Sequence, residues 1–145
     1  MTDPENIRRL VRKNFDYLTT TFGFVEELNI TTDNIYSEVQ YKKSDWTLSI
    51  VTTAHGTKIS LSLISPTGDI GFLTHYFNIL DSNYENPLDR TMVLADNVKY
   101  NSGFLKIHGQ DILEGNPIRL TDILDLIKIE HEKWAKPLSR RLSDL

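Results

Sequence analysis

The sequence of 145 residues contains no cysteine. That absence excludes a disulfide framework, thiolate catalysis, zinc knuckles and cysteine-held iron–sulfur clusters. No apolar run approaches the roughly 18–20 residues that a membrane span needs. The N-terminal Thr2-Asp3-Pro4-Glu5-Asn6 is polar where a signal peptide would carry its apolar core. The expectation is a cytoplasmic protein that meets no membrane, in which the Asn29-Ile30-Thr31 sequon goes unused. Glycine is also sparse. His55-Gly56-Thr57-Lys58 and Pro66-Thr67-Gly68-Asp69 hold one glycine each, too few for successive backbone amides to wrap a phosphate. There is no Gly-x-Ser-x-Gly turn to expose a nucleophile. His131-Glu132 is followed by Lys133-Trp134 with no second histidine four residues on, so a helical pair of zinc ligands cannot form. No cofactor and no metal are expected.

What is present is ordinary for a folded domain: 39% hydrophobic, 10% aromatic and 25% charged residues. The length suits one core, so residues 1–145 are read as a single domain with a tail that frays after Pro137. The net charge of −4 is unevenly spread. Residues 22–121 carry 12 acids against seven bases, whereas Arg8, Arg9, Arg12 and Lys13 cluster near the start. An acidic middle repels phosphate backbones, and the basic run is short enough to be the wet side of a helix; nucleic acid is not an expected partner.

Asp3-Pro4 reads as cap and first residue of a helix whose apolar stripe is Ile7, Leu10, Val11, Phe15 and Leu18, running to about Thr20. From Ile35 the period becomes two. Ile35, Val39 and Tyr41 alternate with Tyr36, Glu38 and Gln40; Lys42-Lys43-Ser44-Asp45 turns the chain; Trp46, Leu48 and Ile50 alternate with Thr47, Ser49 and Val51. Ala54-His55-Gly56 leads into Lys58 to Ile64, with Ile59, Leu61 and Leu63 against Ser60 and Ser62. Ser65 to Asp69 is read as the end of the sheet, and Phe72, Leu73, Tyr76, Phe77 and Leu80 as a short helix. Asn86-Pro87 opens another helix that turns Met92, Val93 and Leu94 inward. Residues 98–113 are read as helix in preference to a hairpin around Asn101-Ser102-Gly103. Gly115-Asn116-Pro117 stops that element, and Thr121 caps a final helix carrying Ile123, Leu124, Ile127 and Trp134.

Consecutive strands followed by helices give an α+β fold: an N-terminal helix, an antiparallel meander of three or more strands, and a helical C-terminal half on one sheet face. The other face is then left for a partner. Tyr36, Glu38, Thr47, Ser49, Ser60 and Ser62 are the candidate contacts, with Trp46 as a second aromatic anchor at a strand end. For chemistry, His108 and Asp111 are three apart and can share a helical face as an acid–base pair. The other histidines, His55, His75 and His131, are scattered. Glu26-Glu27 and Asp122 with Asp125 read as solvated surface charges.

A leading helix ending in Phe22-Gly23-Phe24, a meander around Val39-Gln40-Tyr41 and Trp46 to Thr52, and Ile112-Leu113-Glu114-Gly115-Asn116 before a closing helix together resemble small uncharacterised bacterial proteins of the immunity-protein-like type. The resemblance implies a non-enzymatic module that binds a toxin or secreted effector; it brings no functional residues with it. A second resemblance, to acidic secretion chaperones, rests on the helix followed by three strands and implies a dimer. A small-ligand enzyme using His108 and Asp111 is the third expectation.

Overall fold

The computed structural model describes residues 4–27, 37–53, 58–84 and 93–143. The first helix, α1 (Pro4–Asn14), begins on a proline whose missing N–H costs nothing in the first turn. Glu5 stands near its positive end and Arg12 and Lys13 near its negative end. The helix does not run unbroken to Thr20. A short α2 (Tyr17–Thr20) follows, because both Thr19 and Thr20 hydroxyls donate to the Asp16 carbonyl, at 3.0 and 3.1 Å, and compete with the helical ladder. Gly23, at φ +77°, then reverses the chain.

Five strands form one sheet in sequence order, every neighbour antiparallel: β1 (Val25–Glu27), β2 (Ser37–Lys43), β3 (Trp46–Thr53), β4 (Lys58–Ile64) and β5 (Ile70–Phe72). The meander of β2, β3 and β4 is the one the alternation predicts; β1 and β5 extend it at segments whose spacing does not read as strand. Ser44 and Asp45 make the β2–β3 turn with φ of +53° and +65°. Positive φ at both central residues is the turn whose twist matches a tight hairpin. The segment Ser65 to Asp69 does not end the sheet. It is a second hairpin turn, closed by Ser65 N–H to Asp69 O at 2.9 Å and Gly68 N–H to Ser65 O at 3.0 Å, with Gly68 at φ +91°.

The register separates the strands' alternate residues cleanly. Val39, Ile50 and Leu61 form one cross-strand row and Tyr41, Leu48 and Leu63 the next, all buried against the helices. On that side α1 packs on β2, α3 (Leu73–Leu80) and α4 (Leu94–His108) on β4, and α6 (Pro117–Ser143) on β5. Gly71 sits under α6: a Cβ there would lie 2.6 Å from Leu124 Cδ1. Burying rows of large aliphatic side chains at roughly 25 cal/mol per Å² is what holds the two layers together.

The helical reading of residues 98–113 holds as far as His108. There Gly109 interrupts, and α5 (Gln110–Glu114) follows. A Cβ on Gly109 would fall 2.6 Å from Leu105 Cδ1 and 2.7 Å from Leu105 O, so the break is written into close packing. Val93 does not turn inward; it is 70% exposed and only flanks α4. The Asn86-Pro87 helix start, with Met92, lies outside the described residues, as do Asp3, Ile35, Tyr36 and the Ala54-His55-Gly56 turn.

Gly115, left-handed at φ +69°, ends α5, and the Asn116 side chain accepts from Ile118 N–H at 3.0 Å to start α6. Thr121 is not the cap; its hydroxyl donates back to Pro117 O at 2.8 Å. The backbone of α6 stays helical through Pro137, which removes one ladder bond without ending the helix.

Candidate functional site

Strand parity decides which residues share the face away from the helices. Glu38, Gln40 and Lys42 of β2 stand beside Val51, Ser49 and Thr47 of β3, then Ser60, Ser62 and Ile64 of β4, then Phe72 and Ile70 of β5. Val25 and Glu27 complete the far edge. The expected contacts Glu38, Thr47, Ser49, Ser60 and Ser62 therefore do come together, and Tyr36 lies outside the described residues. Trp46 does not join them. It faces the helical layer opposite Lys43 and is 5% exposed, because strand phase, not position at a strand end, sets the side of the sheet a residue takes.

The hydroxyls are also less available than their face suggests. Thr47, Ser49 and Ser62 are only 7%, 2% and 6% exposed, short side chains sunk among longer neighbours such as Gln40 and Phe72. Ser49 Oγ donates to Glu38 Oε2 at 2.6 Å, and Gln40 Nε2 donates to the same oxygen at 2.7 Å. These bonds hold the carboxylate down on the floor. What stands proud is apolar: Ile70 and Phe72 are 57% and 52% exposed, with half-buried Ile64 paired to Ile70. Neither Ile70 nor Phe72 was expected at the site. Their signal, two large apolar residues flanking a glycine, reads equally as the start of a helix.

His108 and Asp111 are not a pair. With Gly109 between their helices, the Asp111 carboxylate turns to Arg119, accepting at 2.9 and 3.1 Å, and to the Tyr76 hydroxyl at 3.5 Å. No hydrogen bond or ion pair joins it to His108 among the described residues. His108 instead packs on Phe104, ring centroids 4.5 Å apart, and lines a cavity of about 560 Å³ along the outer side of α4, from which Asp111 is absent. That cavity also has Asp81, Asp96, Lys99, Tyr100 and Gly103 in its wall.

Behind it, Phe77, Tyr84 and Phe104 form an aromatic cluster with centroids 4.7 to 5.2 Å apart. The Tyr84 hydroxyl donates to Asn101, and burial pushes that phenol well above its ordinary pKa, so it keeps its proton.

Two of the scattered histidines do meet. His75 on α3 and His131 on α6 place their rings 5.6 Å apart, and the His75 pKa is lowered by burial and by His131, against an opposing pull from Glu130. No group of three or more histidine, aspartate or glutamate side chains able to hold a metal occurs among the described residues. Nor is any described helix long and apolar enough to cross a membrane. Comparison with protein-family models, curated proteins and solved structures finds no match.

Proposed function

We propose that this chain is a non-enzymatic binding module that docks a protein partner on the face of its sheet turned away from the helices, with Ile70 and Phe72 as apolar anchors. One observation supports this reading above the others. Two large side chains on a three-residue strand stand more than half exposed, next to Ile64, on the side opposite the helical layer. Adjacent exposed apolar groups on an otherwise well-packed chain mark contact surfaces, because covering them releases water that nothing else displaces. Glu27, Gln40 and Lys42 supply polar groups on the same face, across β3 and β4 from that anchor. The net charge of −4 favours a basic partner, with charge acting chiefly on encounter and selectivity. The immunity-protein-like resemblance makes a toxin or secreted effector the first partner class to try, and a cytoplasmic setting goes with it. The chaperone reading would instead bring a second copy onto this face. An enzyme built on His108 and Asp111 draws no support from the geometry, since Arg119 already holds the carboxylate.

A photo-crosslinking residue in place of Phe72, compared with one in place of the 78% exposed Ile118, tests the proposal in the native host. The expected result is a discrete hetero-adduct from position 72 alone, lost when Ile70→Asp is added. Equal labelling from both positions, or none from position 72, overturns it, and an adduct of two copies of this chain replaces it with the dimer reading.

A further inference from the structure

The helical layer has a second surface, the cavity along α4, remote from the sheet face. We propose that it is a binding site for a small aromatic organic cation of the arylalkylamine class, stacked on Tyr100 and His108 with its ammonium group drawn to Asp81 and Asp96. It is a depression open to solvent along its outer side, and its volume of about 560 Å³ falls within the range of small-molecule sites. Three rings lie four residues apart on one helix: half-buried Tyr100 and exposed His108 flank Phe104, which is 7% exposed and is itself packed from behind. Tyr84 stacks on Tyr100 at 5.8 Å and meets Phe104 at 4.7 Å; Phe77 meets Phe104 at 4.8 Å. Rings already fixed in place lose little freedom when a flat ligand settles on them.

Gly103 forms the floor. It lies inside a helix of 15 residues, where glycine weakens the element relative to alanine. Its φ is not positive, and a Cβ built there meets nothing within 4 Å, so neither backbone conformation nor packing calls for glycine. What the missing side chain provides is depth between Tyr100 and Ile107.

Charge then selects the occupant. Among the described residues the wall has two carboxylates and one ammonium, Lys99. Asp96 and Lys99 have no hydrogen-bond or ion-pair partner among the described residues, while Asp81 Oδ1 accepts from Asn83 N–H at 2.9 Å. Ring faces and a net negative rim both attract a cation, a neutral ring gains the stacking alone, and an anion meets an excess of carboxylate.

Titrating the full chain with tryptamine, tryptophol and indole-3-propionate, followed by backbone amide shifts, separates these three cases. Tryptamine is expected to move amides between Asp96 and His108. It should bind at least about 5-fold tighter than tryptophol and about 10-fold tighter than indole-3-propionate, with Asp96→Asn narrowing both gaps. Gly103→Gln should fold at least as well, with a thermal midpoint about 2–4 °C higher, yet lose about 10-fold in tryptamine affinity as its side chain fills the floor. No α4 shifts up to about 5 mM tryptamine, equal affinity for the three probes, or unchanged binding to Gly103→Gln would each overturn the proposal.

Discussion

The two faces of the central sheet are built from the same three strands, residue by alternate residue, and have opposite fates. On the helical side Val39, Ile50, Leu61, Tyr41, Leu48 and Leu63 leave almost no surface to water. On the other, serine and threonine make a low floor, Glu38 is tied down by Ser49 and Gln40, and apolar surface rises at the β5 margin and, with Val25, at the far edge. The first face holds the fold together; the second is the one proposed to meet a partner. A sheet roofed on one side gives its two faces different environments through the parity of its strands.

The sharpest way to break that contrast is a pair of truncations on neighbouring residues of β4. Leu61→Ala should cost about 2–5 kcal/mol, through lost transfer energy and a cavity under the helices, whereas Ser60→Ala should stay within about 0.5 kcal/mol. Urea unfolding of both variants checks it, and comparable losses would dissolve the distinction between the faces.

A smaller effect comes from a cation on the helical side. Lys43 Nζ donates to Phe22 O at 2.6 Å and to Leu113 O at 2.9 Å, and lies over the Phe24 ring at 5.4 Å. Lys43→Met keeps the stem but leaves both carbonyls without this donor, and should cost about 1–3 kcal/mol, read as a lower urea midpoint at unchanged slope. A neutral outcome would mean that water replaces the ammonium and that the helical side is wetter than described.

The smallest effect is a pH dependence within the helical layer. The folded His75 pKa is lowered, by burial first and then by His131, with Glu130 pulling the other way. The unfolded chain, near 6.5, therefore binds the proton more readily. Stability is complete above about pH 6.5 and is lost as pH falls below it through the folded value. The drop in thermal midpoint between about pH 7.5 and 5.5 should shrink in His75→Gln. An unchanged drop would place the acid sensitivity elsewhere.

The middle of the sheet was legible because strands of seven and eight residues repeat their alternation often enough to set a phase. β1 and β5, with three residues each, are too short to show a period. In β5, Phe72 leads directly into Leu73, Tyr76 and Phe77 at helical spacing, so the sequence alone reads it as part of α3. Only the approach of Leu124 and Ile127 explains why Gly71 sits there, and that approach belongs to packing. Trp46 shows the reverse case: its strand phase already placed it beside Leu48 and Ile50, while its amphipathic chemistry suggested an anchor, and phase prevails. His75 and His131, like Asp81 and α4, are neighbours only because helices distant in sequence dock together.

The Lys43 ammonium lies 21 residues from one of its carbonyl partners and 70 from the other. Its two ligating oxygens thus come from the loop that precedes the sheet and from the C-terminal turn of α5. A nascent chain can close the Ser44-Asp45 hairpin early, yet that charge finds its resting place only after Leu113 arrives. A fragment cut before that point would leave the ammonium without its Leu113 partner, so this one side chain ties the central hairpin to the late helices.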